Sequence, residues 1–523
     1  MKTLEEIVGD VEEITLRRGT SSAKLCSVTT DSRAVEPDGL FVAVAGQDFD
    51  GHDFLEGAVK SGASAVLIDA DSDVEWGSLD VAVLEAPDTR RVLGPLGCSF
   101  YGNPTREMKI IGITGTNGKT SSAYLLRAIF ENAGWTPGVV GTIEYRWPGR
   151  RVEAKNTTPD GLVLQRTLRA MADDGVDVAI LEVSSHGLEN GRVRAVNFDA
   201  GIFTNLSRDH VDFHGSLEAY RRAKWRLFDE YLPASTMKGD RRPLALVHIG
   251  DDEGQRLVRA LSGRDDLEVV SYGLVEDDSG HEAADVRGVG LRLELNALSL
   301  TVMEPGAEPY ELSVALPGKF NAENMLGAAL CARRMGLGVE QIRRGLTEAG
   351  GVPGRMERVG GEEGPAVFVD YAHSPDALEK ALATLEAVAK GRLWVVFGCG
   401  GDRDRGKRGP MGVVATRLAD RIIVTSDNPR SEDPETIIDA VVAGIEGEVQ
   451  SGRETSRLWW RVSDREEAIE RAILRAGPED VILVAGKGHE TTQERDGSRE
   501  EFDDRVVAAR ALRRRGEEGP WGS

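Results

Sequence analysis

Short, wholly apolar runs alternate with amphipathic stretches along most of this chain, the pattern of parallel strands buried on both faces and joined by helices. Residues 40–44 and 65–69 read as the first such strands, with helical periodicity over 54–60 between them. A turn at Tyr101-Gly-Asn-Pro104 closes that small unit. From Met108 the alternation becomes regular: 108–113, 176–183 and 198–204 predict buried strands and 217–231 an amphipathic helix. Over 285–316 the period changes to two, Leu291, Leu293 and Leu295 against Arg292, Glu294 and Asn296, which predicts antiparallel strands added to the sheet. Helices near 321–336 and 338–349 close the unit before the breaker Gly350-Gly-Val-Pro-Gly354. Four further strands follow, at 366–370, 393–397, 421–425 and 481–485, and the tail from Arg513 is expected to fray. The fold class is α/β: a doubly wound central sheet with added antiparallel strands, and a second parallel sheet after it. Three domains are expected, at 1–104, 105–350 and 351–523.

Composition narrows the function classes. The 523-residue chain is 40% hydrophobic and 29% charged, with a formal net charge of −23. That balance argues against nonspecific affinity for nucleic acid or an anionic membrane. The four cysteines (Cys26, Cys98, Cys331, Cys399) form no C-x-x-C pair, which suggests a reducing compartment rather than a disulfide framework or zinc. The N-terminus lacks an apolar leader core, and no run approaches the roughly 20 apolar residues of a membrane span. A cytoplasmic protein is expected.

The strongest chemical signal is Met108-Lys-Ile-Ile-Gly-Ile-Thr-Gly-Thr-Asn-Gly-Lys-Thr-Ser-Ser122, followed by helical periodicity through Ala123, Leu125, Leu126, Ile129 and Phe130. Strand, glycine loop and helix N-terminus together cradle phosphates on backbone N–H groups. A lysine there spans the outer phosphates and a hydroxyl binds Mg²⁺, roles that fall to Lys119 and Thr120. The usual eight-residue pattern wants Gly at position 113, where this chain has Ile. Gly115 and Gly118 frame the turn instead.

The remaining candidates lie where strands end, the edge at which open parallel sheets bind ligands. One strand runs out through Glu182 into Ser184-Ser-His-Gly187, and the next into Thr204-Asn-Leu-Ser-Arg-Asp-His210. A carboxylate and an imidazole beside a phosphate loop suit Mg²⁺ bridging nucleotide and substrate; singly they are ordinary strand-end polar residues. Lys224, in Tyr220-Arg-Arg-Ala-Lys-Trp225, reads by composition as a solvated helix lysine. The last four strands end in Asp370-Tyr-Ala-His-Ser-Pro375, Gly398-Cys-Gly-Gly-Asp-Arg403, Asp427-Asn-Pro-Arg430 and Gly486-Lys-Gly-His-Glu490. Arg403 and Arg430 could clamp a carboxylate while Asp427 and Glu490 hold an ammonium, a charge pattern that fits an amino acid. The bland alternative is surface ion pairs at loop tips.

These residues resemble those of the Mur ligases, ATP-dependent amide-forming ligases of peptidoglycan precursor synthesis. The likeness covers essentially the whole chain. It is carried by Thr114-Gly-Thr-Asn-Gly-Lys-Thr120, Asn156-Thr-Thr-Pro159, Glu182-Val-Ser-Ser-His-Gly187, Asn205-Leu-Ser-Arg-Asp-His210, Gly354-Arg-Met-Glu357, Asp370-Tyr-Ala-His373 and Asp427-Asn-Pro-Arg430. Thr-Gly-Thr-Asn-Gly-Lys-Thr is the form that family gives the loop, so Ile113 is no longer a defect. The likeness is strongest to the members that add meso-diaminopimelate, or lysine in some bacteria, to UDP-N-acetylmuramoyl-L-alanyl-D-glutamate.

The resemblance implies an N-terminal domain for the UDP substrate, a central ATP domain and a C-terminal Rossmann-like domain for the amino acid. It implies that ATP phosphorylates the terminal carboxylate of the UDP substrate and that the incoming amine attacks the acyl phosphate. Thr114, Gly115, Thr116, Asn117, Gly118, Lys119, Thr120, Asn324, Arg355, Asp370 and His373 would contact ATP. Thr120 and Glu182 would hold one Mg²⁺, and His210 with a carbamylated Lys224 the second. Ser32, Asn156, Thr157, Thr158, Ser184, Asn190 and Arg192 would contact the UDP substrate, although some relatives carry Gln at Asn190. Arg403, Asp427, Asn428, Pro429, Arg430, Gly486 and Glu490 would bind diaminopimelate, Arg430 pairing with the distal carboxylate that lysine lacks. A monomer with small-molecule substrates, and neither nucleic acid nor a membrane as partner, is expected. Two other readings stay open: a fold relative such as the D-alanyl-D-alanine-adding Mur ligase or folylpolyglutamate synthase, and a nucleotide-sensing ATP binder without ligase turnover.

Overall fold

The structure is a computed structural model that describes residues 2–46, 49–236, 241–275, 284–361, 363–450 and 458–519. Three large sheets follow one another along the chain. The first has five strands in the spatial order Thr15–Arg18, Ala82–Ala86, Ala63–Asp69, Gly39–Val42 and Ser27–Thr29. Its helix Thr89–Phe100 packs on the helix Gly161–Asp173, and Leu162 of that second helix joins the N-terminal core.

The second sheet has eleven strands. Its parallel centre is built from β1 (Lys109–Thr114), β2 (Pro137–Val140), β3 (Val178–Glu182), β4 (Ala200–Phe203), β5 (Leu244–His248), β6 (Glu268–Leu274) and β7 (Val286–Leu293), in the order β2-β3-β1-β4-β5-β6-β7. The chain adds strands first on one side of β1 and then on the other, so β1 is the topological switch point. Register fixes what meets there: Glu182 pairs with Ile113 and Phe203 with Thr114, so three loops leave the sheet side by side. The antiparallel addition foreseen from the period-two pattern is β7 with β8 (Leu298–Met303) and β9 (Tyr310–Val314), β7 itself being parallel to β6. The helix α1 (Lys119–Asn132) follows the phosphate loop; α2 is Leu217–Arg226, and its last turn widens into a π-helical segment, Leu227–Tyr231. The helix α3 (Lys319–Arg334) packs on α1 across the apolar core beneath the loop.

The third sheet has the order β10 (Glu357–Val359), β11 (Ala366–Asp370), β15 (Val481–Ala485), β12 (Leu393–Phe397), β13 (Arg421–Val424) and β14 (Leu458–Arg461). All but β10 run parallel, so the four sequence-flagged loops emerge at one edge. The tail corrects its expectation. The helix Asp504–Glu518 continues past Arg513, because Ala508 and Ala511 bury against this sheet and Arg515 donates to the Ile473 carbonyl at 2.6 Å.

Candidate active site

The phosphate loop is shaped by contacts that only glycine permits. Gly115 has φ +147°, and a Cβ there would lie 1.9 Å from Thr204 Oγ1; Gly118 has φ +89°, and a Cβ would lie 2.3 Å from Asn324 Oδ1. The loop after β4 grips the other side. The Asn205 amide oxygen accepts from Asn117 N at 2.9 Å, the Asn205 carbonyl from Thr116 N at 2.9 Å, and Thr204 Oγ1 donates to the Asn117 carbonyl at 2.6 Å. Thr114 ends β1 fully buried. Lys119 folds back over the loop, its ammonium donating to the Gly115 and Thr116 carbonyls at 2.8 and 3.0 Å. Burial lowers its pKa, with Glu182 opposing and Arg355 assisting.

Beside the loop Thr120 donates to Glu182 Oε2 at 2.8 Å, and both Glu182 oxygens accept further bonds from the Thr142 hydroxyl and N–H at 3.0 Å. Glu182 is 1% exposed, and the groups that hydrogen-bond its carboxylate, Thr120 and Thr142, are neutral, so its oxygens are available to a cation. Thr142 also meets Thr157 at 3.0 Å, and Thr158 bonds the Glu182 carbonyl at 2.8 Å and Ser184 Oγ at 3.1 Å. Arg192 donates to the Thr158 carbonyl at 2.8 Å, and the Asn156 carbonyl accepts from Tyr145 at 2.7 Å. Thr157, Thr158, Ser184 and Arg192 therefore form one network through Thr142 and Glu182. Asn190 and Arg192 also line a cavity of about 150 Å³ whose far wall is Thr30, Val44 and Arg90 of the N-terminal unit. Ser32 sits in the adjacent 3₁₀ turn, capped by Asp31, and does not line that cavity.

Lys224 overturns its compositional reading. It is 1% exposed, and its ammonium donates to the Gly115 carbonyl at 2.7 Å and lies 4.6 Å from the Tyr220 ring centre. Burial first, and Lys119 second, push its pKa well below the usual lysine value. His210 caps a short helix with φ 49°, in reach of Asp209 at 3.5 Å and edge-on to His186 at 4.8 Å. No described group of three or more His, Cys, Asp or Glu side chains could by itself hold a metal ion. Thr120 with Glu182 nonetheless offers the hard oxygen donors Mg²⁺ takes, whereas Lys224 as an ammonium cannot be a ligand.

The C-terminal unit closes over this edge. Arg355 donates to Thr120 Oγ1 at 3.4 Å and stacks on Tyr371 at 4.6 Å, with its Nε buried and unpartnered among the described residues. Asp370 accepts from Met356 N at 2.7 Å, and burial raises its pKa against Arg355. His373 bonds the Tyr371 carbonyl through Nδ1 at 2.9 Å. Sequence reasoning missed Asp376, whose carboxylate joins Asn117 of the phosphate loop at 3.1 Å to Ser207 at 2.9 Å. Its position at the first turn of Pro375–Glu386, straight after the flagged Asp370 loop, was the available signal.

Asp427, Asn428, Gly486 and Glu490 converge at the same edge. Asn428 donates to Glu490 at 2.8 Å, Asp427 accepts from Asn428 N at 2.7 Å, and a Cβ on Gly486 would lie 2.5 Å from Asp427. The fully buried Lys487 was passed over; it donates to Asn428 at 2.9 Å, Glu490 at 3.2 Å and the Thr492 carbonyl at 2.7 Å. Arg430 donates to the Gly401 carbonyl at 2.7 Å. Arg403 and Arg430 flank Gly400, where a Cβ would lie 3.9 and 3.1 Å from them; a Cβ on Gly401 would meet the Pro429 carbonyl.

Fold and site together define a phosphate-loop protein with a buried carboxylate beside the loop and a second cluster of charged residues at the edge of the third sheet. The family described as Mur ligase middle domain matches residues 113–332, Mur ligase, glutamate ligase domain matches 354–488, and Mur ligase family, catalytic domain matches 24–101. The UDP-N-acetylmuramoyl-L-alanyl-D-glutamate–2,6-diaminopimelate ligase of Geobacillus kaustophilus is 40% identical over 94% of this chain and 96% of its own length. The protein of that name from Geobacter metallireducens is 41% identical over 95% of each. A solved structure of an enzyme of that name superposes with a TM-score of 0.68 at 30% identity, covering 98% of this chain and 99% of its own. MurF from Acinetobacter baumannii, at 18% identity, shares the fold with a TM-score of 0.66. The chain belongs to the Mur ligase family.

Proposed function

We propose that this chain is the ATP-dependent ligase that joins meso-diaminopimelate to UDP-N-acetylmuramoyl-L-alanyl-D-glutamate in peptidoglycan precursor synthesis. The observation that carries the reading is the cluster of charged side chains around residues 427–430. Arg430 bonds the Gly401 carbonyl through Nη1 and pairs with Glu494 at Nε, and its Nη2 makes no hydrogen bond among the described residues. Relatives about 40% identical over nearly the whole chain bear the name of that activity.

Three units, 1–104, 105–350 and 351–523, would divide the work: UDP substrate, ATP and amino acid. The loop 114–120 and the α1 N-terminus would bind the phosphates of ATP, with Lys119 leaving its two carbonyls to span the outer ones. Asn324, Arg355, Asp370 and His373 would complete the nucleotide site. Asn156, Thr157, Thr158, Ser184, Asn190 and Arg192 would position the substrate carboxylate beside it, with Ser32 toward the uridine end. Thr120 and Glu182 would hold one Mg²⁺, and His210 with Lys224 a second. The role of Lys224 requires its carbamate: its uncharged amine bonds to carbon dioxide and releases a proton, and burial favours that uncharged form. Bound Mg²⁺ would offset the negative charge of the phosphates and of the transferring group.

The γ-phosphoryl group would pass to the substrate carboxylate, and the amine held at Asp427 and Glu490 would displace phosphate to form the amide. Lys119 and Arg355 face the charge that builds in both steps. Arg403 and Arg430 would hold carboxylates of the amino acid. A cytoplasmic monomer fits this work, and no described helix is long and apolar enough to cross a membrane. Phosphate release from ATP and Mg²⁺ that needs both the UDP-dipeptide and meso-diaminopimelate tests the reading. Release indifferent to the amino acid would refute it.

A further inference from the structure

Arg430 adopts the left-handed backbone region, φ 53°, which a long side chain occupies only when its surroundings impose it. What imposes it is a hairpin, Thr492–Arg495 paired with Ser498–Glu501, that follows the Glu490 loop. Arg430 N donates to the Glu494 carbonyl at 3.1 Å and Asp496 N donates to the Arg430 carbonyl at 2.8 Å. Gln493 donates to the Asp427 carbonyl at 2.6 Å, and Glu494 N to the Asn428 side chain at 3.0 Å. The hairpin thus straps the loop Asp427-Asn-Pro-Arg430 from end to end. Its one charged contact to the guanidinium is the Glu494 carboxylate, 3.4 Å from Arg430 Nε.

We propose that Glu494 is a specificity-determining positioning residue, its carboxylate aligning the Arg430 guanidinium for the distal carboxylate of the amino-acid substrate. The Arg430 guanidinium pairs with Glu494 at Nε and bonds the Gly401 carbonyl through Nη1, which restricts its rotation, and its Nη2 makes no hydrogen bond among the described residues. Glu494 is 46% exposed on its side chain, so its replacement leaves the core intact. The inference rests on the diaminopimelate reading of this site.

Steady-state coupling with meso-diaminopimelate and with L-lysine, for wild type, Glu494→Ala and Glu494→Gln, tests it. Glu494→Ala is expected to raise KM for diaminopimelate about tenfold, the effect of one charge-assisted hydrogen bond, with kcat and KM for lysine within about twofold. Glu494→Gln keeps an acceptor at the same place and is expected to restore most of the discrimination. A diaminopimelate-to-lysine ratio unchanged in Glu494→Ala would overturn the proposal while the ligase reading stands. A KM for diaminopimelate that falls in both variants would also overturn it, showing a competing anion. Wild-type enzyme that does not prefer diaminopimelate would overturn the reading and the proposal together.

Discussion

The phosphate loop and the loop Asp427-Asn-Pro-Arg430 both leave the ends of parallel strands, yet they are held in different ways. The first is held at its own backbone: glycines at φ +147° and +89°, and loop N–H and carbonyl groups bonded by Asn205 and Thr204 of the next strand's loop. The second adds a buried side chain to its backbone bonds: Lys487 donates to Asn428, Glu490 and the Thr492 carbonyl, while a hairpin pairs with the Arg430 backbone. Backbone geometry suits a ligand part common to all nucleotides, the phosphate chain. Side-chain geometry suits a choice among amino acids, because one substitution changes the charge pattern without moving a strand.

The comparison can be broken at either end. The largest effect is expected for Lys119→Ala, which removes the charge facing the outer phosphates. Turnover should fall by about a thousandfold or more while circular dichroism stays native. Comparable turnover in that variant would mean the loop does not handle the transferring phosphate. Next comes Arg430→Ala, expected to cost roughly a hundredfold in kcat/KM for diaminopimelate and under threefold for lysine. Equal losses for the two amino acids would remove Arg430 from the choice.

Lys487→Met should act more gently and in a different currency. It strips donors from Asn428 and the Thr492 carbonyl, so urea unfolding should show a loss of about 1–3 kcal/mol, and KM for the amino acid should rise while KM for ATP does not. The smallest effect concerns acid. Burial first, then Arg355 and Arg505, hold His489 at about 3 against an ordinary 6.5. The unfolded chain therefore binds a proton between those values that the folded chain refuses, so this group costs stability as pH falls from 6.5 toward 3 and nothing above that window. His489→Phe, which keeps the ring packed on Tyr371, should flatten the fall in urea midpoint over pH 6.5 to 4. An unchanged slope would mean His489 titrates normally.

How much could be read from the chain follows the same division. Lys119 and Thr120 were legible because one short segment carries strand, turn and helix N-terminus; Glu182 was flagged at the end of another strand, and register places it beside Ile113. Strands such as Leu244–His248 and Glu268–Leu274 went unflagged, the second because Glu, Ser and Gly break its apolar run. Lys224 was misread by composition, although Tyr220, Ala223, Lys224 and Leu227 recur at helical spacing on one buried face. A lysine on that stripe was the signal. Asp376 and Glu494 were invisible for another reason: their partners lie 259 and 64 positions away along the chain, and only the assembled sheets bring them together.

The measurement that bears most directly on the account is phosphate release from ATP with UDP-N-acetylmuramoyl-L-alanyl-D-glutamate, Mg²⁺ and either meso-diaminopimelate or L-lysine. The account predicts release and amide product with diaminopimelate, and at least a hundredfold lower kcat/KM with lysine. Equal use of the two amino acids, or release that needs neither, would contradict it.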